Sequence, residues 1–137
     1  MSRTRPATSS SRRRQDERGS ATIELMILLP ALFAVMFLGM QAALFYHARS
    51  AAIAAAQEGA RAAAGEHGHE SDGVQAANAF IEQAGGDDVL PGATTTANRT
   101  ATTVTVVVRG HSLSVIPGWS PVVRQEASVP VERLTTP

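Results

Sequence analysis

The chain lacks both cysteine and lysine. Without cysteine there are no disulfides, no thiolate metal sites and no cysteine nucleophile. Without lysine every basic side chain is arginine, which points to coding bias more than to mechanism. Catalytic signatures are missing too: there is no G-x-S-x-G elbow, no H-E-x-x-H and no phosphate-cradling glycine loop. Gly85-Gly86 reads as a helix stop. A secreted hydrolase would need residues from separate segments to converge, and nothing in the sequence brings them together. The expectation is a non-enzymatic protein with no cofactor and no metal.

Charge is also missing, from Leu25 to Phe45. About 21 residues at 1.5 Å rise match a hydrocarbon core roughly 30 Å thick, so the run reads as one membrane-spanning helix. A soluble core helix would show a polar face, whereas Gln41 is the one strongly polar side chain here. A secretory signal would have an apolar region of about 7 to 15 residues followed at once by its cleavage site, shorter than this run. Pro30 removes one backbone hydrogen bond within the span, and Gly39 with Ala43 forms a small-xxx-small pair that permits close helix approach.

Before the span, Met1 to Arg18 holds Arg3, Arg5, Arg12, Arg13, Arg14 and Arg18 against Asp16 and Glu17. Its remaining residues are mostly Ser, Thr and Pro, too polar to fold alone. With no interleaved aromatics it is not read as a nucleic-acid arm. A basic flank beside a span stays in the cytoplasm, which predicts a cytoplasmic N-terminus and an extracytoplasmic C-terminus. Glu24 stands where the apolar run begins. Its carboxylate is either an interfacial group favoured by the helix dipole or a group with a role in assembly.

Beyond the span, Ala48, Ala52, Ala56, Ala60 and Ala64 recur at every fourth position, and alanine has the best helix propensity. The helix is expected to continue to about Gly65. Its alanine stripe suits packing either against its own globular domain or against sister helices. His67 and His69 form an H-x-H pair in a polar loop, two ligands short of a zinc site. Asp72 reads as the N-cap of a second helix carrying Val74, Ala77, Ile81 and Ala84 on one face. From about Thr94 the pattern changes to strands. Thr100 to Arg109 alternates Val104, Val106 and Val108 with Thr103, Thr105 and Val107, and Gly110 is expected to turn it. Val122 to Leu134 alternates again, with Pro130 marking an edge or a late bulge. Leu113, Val115 and Pro117-Gly118-Trp119 form an apolar crossing in which Trp119 is expected to anchor the core or plug a loop.

The segment Arg18-Gly19-Ser20-Ala21-Thr22-Ile23-Glu24-Leu25, followed by Leu28-Leu29-Pro30 and Gly39, resembles the N-terminal signature of the TadE-like and TadG-like proteins of tight-adherence (Flp) pilus systems. The resemblance implies a bacterial minor pseudopilin. On it, a prepilin peptidase cuts between Gly19 and Ser20, and Glu24 serves assembly by pairing with the Ser20 ammonium of a neighbouring subunit. Implied partners are the lipid bilayer, the peptidase, other pilins or pseudopilins and the pilus platform proteins. The alternative is a single-pass anchor presenting an extracytoplasmic binding domain without processing. The expected organisation is α+β and pilin-like. It comprises a disordered basic leader (1–19), a transmembrane helix (20–46), its extracytoplasmic extension (47–65) and a small domain (66–137) whose antiparallel sheet packs on the helix.

Overall fold

In a computed structural model the described residues are 11–133, with side chains described over 21–133. The first ten residues of the basic leader and Leu134, the expected end of the last strand, lie outside them. The architecture is α+β, in the order α1 (Ser11–Ala64), α2 (Glu70–Ala84), β1 (Thr94–Arg99), β2 (Thr103–His111) and β3 (Val122–Pro130). Residues 11–19, which composition suggested were disordered, are helical. A helix already nucleated by the apolar run extends backwards without a new nucleation cost, and Arg, Gln and Glu are good helix formers.

The chain divides between Leu38 and Gly39 into two units. In the first, α1 runs through Pro30 unbroken and exposes its apolar side chains on all sides. The second begins inside α1 and holds the core. Ala48, Ala52, Ala55, Ala56, Ala60 and Ala63 are fully buried there, in one cluster with Ala77, Ile81, Leu90, Val104, Val106, Val108 and Val123. The alanine stripe is therefore spent on the chain's own sheet. Methyl-sized side chains let β-branched valines sit close to the helix backbone, which compensates for the small volume each alanine contributes.

The three strands are antiparallel in the order β1-β2-β3, so β2 is central and Pro130 lies on an edge strand. The valine alternation sets the register. Val104 pairs with Val129, Val106 with Ala127 and Gly110 with Val123, and the even-numbered valines of β2 face the helix. Three strand boundaries differ from the sequence reading: β3 ends at Pro130, short of the expected Leu134, and β2 differs at both ends. Thr100 belongs to the β1–β2 turn, where its Oγ1 accepts the Thr103 N–H at 3.0 Å. Gly110 does not turn β2, which continues to His111. A Cβ on Gly110 would lie 2.7 Å from Leu90 Cγ, so this glycine clears space for a buried leucine rather than reversing the chain.

The N-cap of α2 is His69, not Asp72. Asp72 sits one turn in, where its Oδ2 accepts the His69 N–H at 2.8 Å, the reciprocal half of a capping box. Sequence placed the acidic residue correctly at the helix start but one role too early.

The end of α1 is closed by Arg99 of β1 and by Glu132, two residues past β3. Arg99 donates through one guanidinium nitrogen to the carbonyls of Ala63 and, at 3.1 Å, Gly65, while the Glu132 N–H donates to Ala64 O at 2.9 Å. A cation also suits the negative end of the helix dipole. Glu70 Oε1 accepts the Arg99 N–H at 2.7 Å, so one residue joins the end of α1, the start of α2 and the end of β1. Arg99→Ala should cost about 1.5–3 kcal/mol, the range for hydrogen bonds to a charged group. Urea unfolding of the detergent-solubilised protein checks this, and a midpoint equal to that of the unaltered protein would contradict it.

Candidate functional site

The feature with functional content is the first half of α1. Leu25, Met26, Ile27 and Leu28 are successive residues, pointing around the helix at about 100° intervals, and each is at least 61% exposed. Leu32, Phe33, Val35, Met36, Phe37, Leu38 and Met40 continue the exposed series. A helix apolar on every face and uncovered by its own chain suits a hydrocarbon environment, and Ala21–Ala64 is long and apolar enough to cross a membrane. Glu24 is exposed at the start of this series. Gly19 and Ser20 lie in the helical backbone of α1 just before it. The three residues singled out from sequence thus fall within two turns of one helix.

Gln41 ends the exposed series in an unexpected way. It is 3% exposed. Its Oε1 accepts from the Val115 N–H at 2.9 Å and from Ser114 Oγ at 3.0 Å, and its Nε2 donates to Leu113 O at 3.2 Å. The one polar side chain in the apolar run is thus satisfied by the loop between β2 and β3, as burial of an amide requires. Sequence reading noted the residue but not its partners, which lie more than seventy residues away.

Gly59 and Gly73 were also missed. A Cβ on Gly59 would lie 2.5 Å from Gly73 O, and one on Gly73 would lie 2.9 Å from Gly59 O. The two glycines face each other where α1 and α2 cross, and each is required by the other's backbone. A glycine inside an alanine-rich helix, at a small cost in propensity, was the available signal.

The two histidines noted from sequence sit on the surface of the second unit. His67 and His69 are both exposed, and His69 Nδ1 lies 3.6 Å from Asp72 Oδ2. Among the described residues no three of His, Asp and Glu converge as metal ligands would. Trp119 is 49% exposed, so it neither anchors the core nor plugs a loop. The alanines and valines leave no room for an indole between helix and sheet.

Residues 19–61 match the family model for TadE-like protein. No curated protein and no solved structure matches the chain. The matched stretch opens at Gly19, contains the exposed apolar series and ends within the alanine face of the core. Over that stretch, about a third of its length, the chain is similar to TadE-like protein.

Proposed function

We propose that the protein is a minor pseudopilin or membrane-anchored component of tight-adherence pilus assembly, non-enzymatic, with its N-terminus in the cytoplasm. The supporting observation is the coincidence of the TadE-like match, starting at Gly19, with a helix whose apolar side chains are exposed on every face. A prepilin peptidase removes the basic leader between Gly19 and Ser20. The new Ser20 ammonium then pairs with Glu24 of an adjacent subunit, so that neither charge stays unpaired among apolar helices. The alanine stripe is consumed by the protein's own sheet, so lateral contacts with other pilins, pseudopilins or platform proteins fall to the exposed apolar series.

N-terminal sequencing and intact mass of the protein recovered from native membranes test the processing. The expected product begins at Ser20, and Gly19→Leu should accumulate the uncut precursor. A membrane protein that retains Met1 or Ser2 as its first residue overturns processing and leaves a single-pass anchor that presents its outer domain.

A further inference from the structure

We propose that the β2–β3 loop, from Ser112 through Val122, is a second lipid-contacting element that rests in the headgroup region of the bilayer crossed by α1. The proposal builds on the reading of α1 as a membrane span. It adds to that reading where the span ends and which other part of the chain touches lipid.

The loop's composition is the first argument. No charged residue occurs from Ser112 to Val123, although Arg109 and Arg124 stand just outside this interval. Leu113, Trp119 and Val122 are 39%, 49% and 67% exposed. Isolated exposed apolar side chains are ordinary on any protein, so their placement has to decide.

Placement is fixed by Gln41. Its three hydrogen bonds hold Leu113, Ser114 and Val115 against α1 at the residue that follows Met40, where the unbroken series of large exposed apolar side chains gives way to the small Ala42 and Ala43. At 1.5 Å per residue, Ile23 to Met40 covers about 27 Å, close to the thickness of a hydrocarbon core. A bilayer fitted to that series has its boundary at the level of Gln41, and hence at the loop. Tyr46, 61% exposed and five residues further along α1, adds a second amphipathic ring beyond the boundary. Tryptophan and tyrosine are enriched at that level of a membrane.

Backbone satisfaction supplies the third argument. The Ser112 N–H donates to Pro121 O at 2.9 Å, the Val115 N–H to Gln41, the Ile116 N–H to Ser114 Oγ at 3.1 Å and the Trp119 N–H to Ile116 O at 3.3 Å. Four of the loop's amides are thus bonded within the chain, which lowers the cost of entering a region poor in water.

Trp119 is the chain's only tryptophan, so its emission reports on the loop directly. The full chain would be reconstituted into phosphatidylethanolamine–phosphatidylglycerol vesicles that include brominated lipid. Bromine near the carbonyl end of the acyl chains should cut Trp119 emission by about half, exceeding the effect of bromine at the chain end, as an interfacial ring requires. Aqueous iodide should quench it little. A Phe33→Trp reporter in a Trp119→Phe background marks the span and should respond most to bromine at the chain end. Quenching of Trp119 by iodide but not by lipid, with Phe33→Trp still quenched by lipid, overturns the loop proposal and leaves the span intact. Failure of both reporters to sense brominated lipid overturns the span, and the loop proposal with it.

Discussion

Gly59→Ala should destabilise the protein, while the same change at Gly39, earlier on the same helix, should stabilise it. Both replacements add one methyl group and gain up to about 1 kcal/mol in helix propensity. At Gly39 nothing lies within 4 Å of the new Cβ, so the gain stands. At Gly59 the new Cβ meets Gly73 O at 2.5 Å, Ala77 Cβ at 3.0 Å and Val106 Cγ1 at 3.2 Å. A backbone oxygen cannot rotate away, so α2 must move off α1, and the valine beneath must move as well. Overpacking of this kind costs about 1–3 kcal/mol, and the backbone contact puts Gly59 at or above the upper end. Gly59→Leu should prevent the second unit from folding. Urea unfolding in detergent, followed by circular dichroism, reads both signs. Midpoints shifted in the same direction by the two alanines would contradict the account.

Gln41→Leu should separate membrane insertion from folding. Leucine makes the run continuously apolar and matches glutamine in helix propensity, so insertion should be at least as efficient. The loop, however, loses the acceptor for the Val115 N–H and the donor for Leu113 O, two backbone groups that a leucine cannot satisfy. Losing either bond in this part-buried setting costs up to about 1–3 kcal/mol, so amide exchange at Val115 should accelerate by about 10- to 100-fold. Val104, in the sheet, should exchange unchanged. Equal acceleration at both positions would show a global loss of stability and contradict a local role for Gln41. Ser112 sharpens the contrast. It is 1% exposed and its hydroxyl has no hydrogen-bond partner, so the loop already carries one uncompensated group beside the amide that Gln41 pairs.

Features carried by local pattern were legible in the sequence. The charge-free run, the alanine recurrence and the alternation of Val104, Val106 and Val108 each state a period and a face, and the structure has the corresponding elements. The α+β class followed from them, while the family resemblance rested on the motif from Arg18 to Leu25 with Leu28-Leu29-Pro30 and Gly39. Contacts between distant segments were not legible. Gly59 looks like another small residue in an alanine-rich helix until Gly73 is brought against it. Gly110 looks like a turn because the sequence does not say that Leu90 occupies its missing side chain's place. Trp119 was expected inside because tryptophan usually buries well, but an alanine–valine core is too thin to take it. Gly19, Ser20 and Glu24 are a case apart. Their significance lies in a processing reaction and an assembly, to which the fold of one chain contributes only their closeness on α1.

The alanine face of α1 also has a mechanical consequence. Moving the helix by one residue along its axis means a 1.5 Å shift and a turn of about 100°. That step would bring Gln57 and Arg61 to the places held by Ala56 and Ala60, and the reverse step would bring Glu58 to the place of Gly59, where even a Cβ would lie 2.5 Å from Gly73 O. The joint between helix and sheet therefore has a single seat and no adjacent notch. Tension on α1 is carried as shear by the whole alanine–valine surface, and the joint fails by unfolding rather than by slipping.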